Sequence, residues 1–368
     1  MLPLLLAVTA GCLLVMVGGG YLLSRHFMTA VPDTVREPRV LKGEGIMQKA
    51  ALYEDWAVGL ITDIHYQEQP PEEPEFVVVG ESGAAFLSLD FQRRRLVRFP
   101  RFEMDRPVLV DLEGDGTSEF LSRGSWVSKV ILFDSDGKPR WTYESPVGVD
   151  DAAAGDVDGD GQAEIAVGFN GDGGVHLLDM NGQKLWDEPD GNVWHVEIAD
   201  VDGDGRGEIL HSNARGHLRI RDATGSVVRE YDLEPYLADF SLTRWGEDLE
   251  PKHLVTTDDQ TIYVIDFEGN IVAELEAPES IDTADVYGTS VRFRESVRYY
   301  AALLSYTYMR RSILYLYDPE GQLFYHELLD AGCAALLALP SGRAESLLVG
   351  CEGKVWRYSL SPNQSPPR

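Results

Sequence analysis

The stretch that decides the fold is Asp156-Val-Asp-Gly-Asp-Gly-Gln-Ala-Glu164, because the chain contains two further close copies of it. The copies are Asp111-Leu-Glu-Gly-Asp-Gly-Thr-Ser-Glu119 and Asp200-Val-Asp-Gly-Asp-Gly-Arg-Gly-Glu208, and the three starts lie 45 and 44 residues apart. A repeat of this length indicates a protein built from repeated supersecondary units.

A second repeated feature is an aspartate that follows an apolar stretch and precedes a short turn. Successive markers lie 41 to 52 residues apart. A period in the forties with several short strands in each unit predicts a β-propeller. The markers are Asp90, Asp134, Asp179, Asp222, Asp266 and Asp318, with Ser359 in the seventh place.

One unit can be divided into four strands, at residues 152–155, 165–168, 175–178 and 184–186, with Asn181-Gly182 as a hairpin turn. Seven units of about 45 residues match the 314 residues from Asp55 to the C-terminus. The sequence therefore predicts an all-β fold, a seven-bladed β-propeller of four-stranded blades, over residues 39–368.

The seventh unit is incomplete, because the residues after Leu360 form a poor strand. An uncovered strand edge invites pairing with another chain. We therefore expect residues 39–51 to supply the missing outer strand and to close the ring with the C-terminal blade. A free linker in this segment is the alternative.

The N-terminus carries a membrane signal. Leu2 to Leu23 is a run of 22 uncharged residues, which as a helix would be about 33 Å long and could cross a bilayer core. We expect an N-terminal transmembrane or signal helix over residues 1–24 and a linker over 25–38. A cleaved signal peptide and lipidation at Cys12 remain alternatives.

The charge balance restricts the partners. Lys and Arg total 32 against 61 Asp and Glu, which gives a net charge of −29. Such a chain is not expected to bind nucleic acid, because little in it would neutralise phosphates. Its acidity is better suited to binding cations.

The three repeated stretches carry carboxylates at relative positions 1, 3, 5 and 9, and a backbone carbonyl at position 7 could add another oxygen. Calcium takes six to eight hard oxygen ligands on a flexible loop, so we predict about three Ca²⁺ sites. The predicted ligands are Asp111, Glu113, Asp115, Thr117 and Glu119; Asp156, Asp158, Asp160, Gln162 and Glu164; and Asp200, Asp202, Asp204, Arg206 and Glu208.

With these loops the chain resembles the FG-GAP/VCBS repeat family, the propeller repeats of integrin α-subunit heads and many bacterial surface proteins. The resemblance implies a seven-bladed propeller with calcium in the loops between the first and second strands of a blade. The outer hairpins at Phe133–Trp141 and Leu178–Trp186 are also similar to quinoprotein-type propeller repeats.

Ligand sites of propellers tend to lie on the face opposite such loops or at the mouth of the central channel. We expect aromatic and basic residues in the connections of that face to bind a protein or glycan, with ordinary loop packing as the alternative. These residues are Trp126, Trp194, His195, Tyr308, Arg310 and Arg311.

The combined prediction is a calcium-binding, membrane-anchored propeller that acts as a binding or scaffold module. Arg25 and the basic residues after it favour a cytoplasmic domain. Calcium loops of this kind favour an extracytoplasmic one, periplasmic or at the cell surface, since they need about 0.1–1 mM calcium. We expect the latter.

Two rival functions remain open. One is an enzyme, a polysaccharide lyase-like or quinoprotein-like propeller with its site at the channel mouth. The other is an assembly factor that faces the cytoplasm and binds no metal. Cys333 and Cys351 could form a disulfide in an oxidising compartment, or remain as two buried thiols.

Overall fold

The computed structural model describes residues 38–67, 75–100, 106–123, 127–248, 250–280, 284–294, 297–306, 310–341 and 344–362. The chain divides into two compact units, Met1–Pro38 and Arg39–Arg368. The described strands all belong to the second unit. The predicted membrane segment at residues 1–24 and most of the linker at 25–38 lie outside the described residues.

The described residues form seven blades of antiparallel strands, which confirms the predicted all-β propeller. In chain order the strands are β1 (Arg39–Lys42) and β2 (Met47–Glu54); β3 (Ile61–Gln67), β4 (Glu75–Gly80), β5 (Gly83–Leu87) and β6 (Arg93–Arg98); β7 (Val108–Val110), β8 (Glu119–Ser122), β9 (Val127–Phe133) and β10 (Pro139–Gly155); β11 (Glu164–Phe169), β12 (Gly174–Leu178) and β13 (Lys184–Glu188); β14 (Val196–Ala199), β15 (Glu208–Ser212), β16 (Leu218–Arg221) and β17 (Val227–Tyr231); β18 (Ser241–Thr243), β19 (His253–Asp258), β20 (Thr261–Asp266) and β21 (Ile271–Glu276); β22 (Asp285–Arg294), β23 (Val297–Tyr306), β24 (Arg311–Tyr317) and β25 (Leu323–Leu328); and β26 (Cys333–Ser341), β27 (Ala344–Cys351) and β28 (Lys354–Leu360).

Strand β10 belongs to two blades. Its first part pairs with β9 as the outer strand of blade two, and its second part pairs with β11 as the inner strand of blade three. This shared strand joins blades two and three into one seven-stranded sheet. The four strands that the sequence predicts for blade three correspond to the end of β10 and to β11, β12 and β13.

Five of the six marker aspartates cap the hairpins that lead into the outer strands, whereas in blade one Ser88, and not Asp90, takes this place. In blade three, Oδ1 of Asp179 accepts hydrogen bonds from the backbone N–H groups of Asn181 (2.9 Å) and Gln183 (2.8 Å). Asp134, Asp222, Asp266 and Asp318 cap their turns in the same way. A short acceptor side chain is needed at this turn position, which explains why an aspartate marks the period.

The segment that was expected to close the ring divides between two blades. β2 pairs antiparallel with β28 and forms the outer strand of blade seven. β1 pairs instead with β25 and adds a fifth strand to blade six. A disulfide joins Cys333 to Cys351 across the first two strands of blade seven, so the two cysteines are bonded and not free.

The apolar side chains of neighbouring blades pack face to face. Between blades two and three, for example, Leu121, Leu132, Val149 and Ile165 are fully or almost fully buried in one cluster. The described ranges contain no helix of the length and hydropathy that a bilayer crossing requires.

Candidate functional site

The three acidic stretches form adjacent loops on one face of the propeller. Loop 1 (Asp111–Glu119) joins β7 to β8, loop 2 (Asp156–Glu164) joins β10 to β11, and loop 3 (Asp200–Glu208) joins β14 to β15. Backbone hydrogen bonds link them in series, from Ala163 N–H to the Leu112 carbonyl (2.9 Å) and from Gly207 N–H to the Asp156 carbonyl (2.7 Å).

The first aspartate organises loop 2. Asp156 accepts the backbone N–H of Gly159 on Oδ1 (2.6 Å) and that of Gly161 on Oδ2 (2.9 Å). Both glycines have a positive φ, +82° and +85°, which other L-residues rarely adopt. The loop can therefore fold tightly around its own carboxylates.

Loop 3 repeats this geometry closely. Asp200 accepts the N–H groups of Gly203 (2.7 Å) and Gly205 (2.9 Å). In both loops the last glutamate points back to the second loop residue, because Glu164 accepts Val157 N–H (3.0 Å) and Glu208 accepts Val201 N–H (3.0 Å). The closing glutamate is thus fixed beside the first aspartate.

Three carboxylates converge in each of these two loops. An oxygen from each of Asp156, Asp158 and Glu164 lies within 4.8 Å of the others, and so do oxygens of Asp200, Asp202 and Glu208. Burial raises the pKa of Glu164 and of Glu208, and the neighbouring carboxylates raise each further. The two loops thus concentrate negative charge on oxygens that suit a hard divalent cation.

The other predicted ligands of loops 2 and 3 lie outside these clusters of three. Asp160 and Asp204 use Oδ1 to accept the N–H groups of Gln162 (2.8 Å) and Arg206 (2.9 Å). The Arg206 guanidinium lies 3.5 Å from Asp204 and is mostly exposed.

Loop 1 has the same backbone but contains a cationic side chain. Arg140, from the outer part of β10, donates to Glu119 Oε1 (3.1 Å) and to Glu113 Oε1 (2.9 Å). Asp111 and Asp115 accept loop N–H groups, with Gly116 N–H 2.9 Å and Thr117 N–H 2.7 Å away. An arginine therefore occupies the place beside the third and ninth residues where loops 2 and 3 offer open oxygens.

The predicted ligand residues fall on different blades. Trp126 and Tyr308 lie outside the described residues. Trp194 is partly exposed before blade four, with its ring centroid 5.9 Å from that of Tyr236. Arg310 pairs with Glu352, and Arg311 donates to the Asp330 carbonyl (2.9 Å), both at the start of β24.

His195 lies elsewhere, in a cavity of about 210 Å³ at one mouth of the central channel. Ionisable residues at corresponding positions of six successive blades lie at this cavity: five of them line it, and the sixth, Asp151, is fully buried behind it in contact with His195. They are spaced by 43 to 46 residues, which is the blade period. We name them the mouth ring: Asp63, Arg106, Asp151, His195, Asp239 and Asp285.

The mouth ring and the acidic loops lie at opposite ends of the inner strands. In blade three, Asp151 lies in β10 five residues before Asp156, the residue that follows the end of this strand, which corresponds to about 16 Å of extended chain. Sequence reasoning found His195 and missed the rest of the ring, although the regular spacing of its ionisable residues was a detectable signal.

Ion pairs connect the ring. Arg123, from the end of β8, donates from Nε and Nη2 to the two oxygens of Asp151 (2.8 and 2.9 Å). His195 Nδ1 lies 2.5 Å from Asp151 Oδ2 and 3.3 Å from Asp239 Oδ1. Arg106 Nη2 lies 3.5 Å from Asp285 Oδ2.

These ion pairs raise the pKa of His195 and lower that of Asp151. Burial alone would lower the pKa of His195, but Asp151 and Asp239 outweigh it and raise that pKa to about 10. Burial would raise the pKa of Asp151, but Arg123 and His195 hold it well below its usual range. Burial raises the pKa of Asp239 to about 7, and the adjacent Asp285 contributes to that increase.

Residues 156–211, which include loops 2 and 3, match the sequence model of an FG-GAP-like repeat. Together with the seven blades, this match confirms the resemblance predicted from the sequence. The chain is a seven-bladed β-propeller that carries an FG-GAP-like repeat.

Among curated proteins, the chain is 30% identical over 108 residues to the rhamnogalacturonan endolyase YesW of Bacillus subtilis (strain 168). The match spans 24% of this chain and only 16% of that enzyme, so most of the length of the enzyme has no counterpart in the match.

Among solved structures, streptogramin B lyase matches with a TM-score of 0.58 at 12% identity, covering 86% of this chain and 100% of that one. BBS1N in complex with ARL6DN matches with a TM-score of 0.56 at 13% identity, covering 89% and 98%. At such identities these likenesses show the fold alone.

Proposed function

We propose that this protein is a membrane-anchored, extracytoplasmic propeller that binds calcium in loops 2 and 3 and serves as a protein- or glycan-binding module. The observation that carries the proposal is the pair of carboxylate clusters, Asp156–Asp158–Glu164 and Asp200–Asp202–Glu208, in which the oxygens converge. Calcium would neutralise these carboxylates and rigidify the loops.

The number of sites in this proposal is two, and not the three that the sequence suggested. Arg140 already supplies positive charge to Glu113 and Glu119 in loop 1. A divalent ion in loop 1 would have to displace that guanidinium.

Calcium binding is tested by thermal unfolding of the full chain in EGTA and in millimolar calcium. An ion that binds only the native state raises the melting temperature by mass action. We expect a clear increase with calcium. No increase would refute the calcium sites and, with them, the main argument for an extracytoplasmic location.

The proposed location has independent support from the disulfide between Cys333 and Cys351, because such bonds persist mainly in oxidising compartments.

The apolar run from Leu2 to Leu23 supports the anchor. We expect the chain to resist alkaline extraction from membranes and a variant that begins at residue 37 to be released. Release of the full chain would refute the anchor.

A second candidate function, an enzyme with its site at the channel mouth, is favoured by one observation. Asp239 is a carboxyl group with a pKa near 7 inside a cavity, beside Asp285 and His195, so it could exchange protons at neutral pH. The curated relative is an endolyase, and elimination would create an unsaturated product. Ultraviolet absorbance on incubation with acidic polysaccharides, lost in Asp239→Asn, would support this candidate, and its absence would count against a lyase.

A further inference from the structure

The cavity at the channel mouth contains more acidic than basic side chains. Its cations are Arg106, Arg123 and His195. The carboxylates in contact with them are Asp151, Glu197, Asp239 and Asp285. Asp63 adds a further carboxylate, which pairs with His65 (2.8 Å) and accepts Leu109 N–H (3.0 Å).

Among these acidic groups Asp239 has the weakest pairing with a cation, and its carboxyl group hydrogen-bonds to that of Asp285. Its closest cationic partner is His195 Nδ1 at 3.3 Å, and the same nitrogen is 2.5 Å from Asp151. Arg123 is held by both oxygens of Asp151, and Arg106 by Asp285. About a quarter of the Asp239 side chain (27%) remains exposed, so this carboxyl group faces the cavity.

One side of the same cavity is apolar. Blade seven contributes no ionisable residue to the lining and instead provides Ala334, Ala335 and Leu336. Phe240 lies next to Asp239 and packs against the His195 ring, with 4.7 Å between ring centroids. A ligand that fits both walls therefore has a cationic end and a short apolar body.

We infer that the channel mouth is a binding site for a primary ammonium group on an apolar stem, with Asp239 as its principal counter-ion. The ammonium donates three hydrogen bonds, and Asp239 and Asp285 offer acceptor oxygens side by side. A free alkylamine and the lysine side chain of a polypeptide share this chemistry. About 210 Å³ can hold one such stem.

Binding of an ammonium group at Asp239 should be accompanied by release of the proton that this carboxyl group holds. The titratable and charged groups around Asp239 are His195 and Asp151 on one side and Arg106, Asp285 and the neutral Tyr287 hydroxyl on the other. Burial and the neighbouring Asp285, only partly offset by His195 and Arg106, raise the pKa of Asp239 and favour its protonated form. An ammonium ion that pairs with it must displace that proton.

The test uses the full chain in EGTA at pH 6 and titrates n-butylamine by calorimetry in two buffers of different ionisation enthalpy. Butanol and butyrate serve as neutral and anionic probes of the same size. We expect the amine alone to bind, with release of close to one proton. Equal binding of butanol or butyrate, or binding without proton release, would overturn the inference.

Variants locate the site. Asp239→Asn removes the charge with little change in shape. We expect it to weaken butylamine binding at least about tenfold, because the ammonium group loses its charged acceptor, and to abolish proton release. Asp232→Asn removes an exposed carboxylate and is the matched control. If Asp239→Asn binds the amine as the native chain does, the site is elsewhere; Asp285→Asn gives a second test.

Two further probes separate the sources of the ammonium group. Nα-acetyl-lysine amide should bind if the natural ligand is a polypeptide, and its Nζ-acetylated form should not. If butylamine binds and the lysine derivative does not, the ligand is a free amine. The inference rests on the proposed binding role of the propeller, but EGTA removes calcium from the test, so either proposal can fail without the other.

Discussion

Loop 1 and loop 2 have nearly the same sequence and backbone, yet they accommodate their carboxylates differently. In loop 1 the Arg140 guanidinium joins Glu113 to Glu119. In loop 2 the corresponding oxygens of Asp158 and Glu164 converge within 4.8 Å. The repeated motif supplies the oxygens in both loops, whereas a residue on another strand decides whether those oxygens are paired with a guanidinium or left open.

The channel mouth offers a third arrangement. There the cations are two arginines and a histidine, and burial raises the pKa of Asp239, which has the weakest pairing, to about 7. Carboxylates in this propeller are thus balanced by an arginine in loop 1, by a proton at the mouth and, as we propose, by calcium in loops 2 and 3. The predictions below test these differences.

The largest effect is expected from Asp158→Ala combined with Asp202→Ala, which removes one converging carboxylate from each calcium loop. Each occupied site adds about 1–3 kcal/mol of stability when calcium exceeds its Kd by about ten- to a hundredfold. We expect the double variant to lose the calcium-dependent rise in melting temperature. Asp136→Ala and Asp232→Ala remove exposed acids outside the loops and should keep it.

Arg140→Met should leave the carboxylates of loop 1 without a paired guanidinium, as those of loop 2 are, so that loop 1 can bind calcium. In EGTA we expect a loss of about 1–3 kcal/mol in the free energy of unfolding, because the buried Glu119 loses its charged partner. In calcium we expect equilibrium dialysis to find three ions per chain in place of two. An unchanged stoichiometry would mean that the arginine does not control loop 1.

Leu185→Arg is the reciprocal change. Leu185 precedes Trp186 in blade three as Arg140 precedes Trp141 in blade two, and it is exposed. An arginine there should reach Asp158 and Glu164 across β12 and reduce the number of bound calcium ions by one. Leu185→Met, which keeps the length and adds no charge, is the control.

The next prediction concerns the pH dependence of stability at the channel mouth. The pKa of Asp239 is about 7 in the folded protein and about 3.9 in an unfolded chain. The folded state therefore binds the extra proton, and this carboxyl group lowers stability progressively as the pH rises from about 4 to 7. Asp239→Asn should raise the melting temperature at pH 8 and have little effect at pH 4. A rise of equal size at both pH values would contradict the shifted pKa.

A feature of the fold or of the candidate site could be predicted from the sequence when the residues that determine it lie close together in the chain. The clusters of loops 2 and 3 were predictable, because their ligands lie within nine consecutive residues. The role of Arg140 was not, since it lies 21 residues beyond Glu119 and reaches back across a strand. The closing segment was predicted to complete blade seven alone, whereas β1 adds a fifth strand to blade six, a choice that depends on tertiary packing.

The most direct test is a crystal structure of the full chain grown in calcium, with anomalous scattering used to locate the ions. We expect one peak in loop 2 among Asp156, Asp158 and Glu164, one in loop 3 among Asp200, Asp202 and Glu208, and none in loop 1. Empty loops 2 and 3, or an ion in loop 1 beside an intact Arg140 contact, would contradict this expectation.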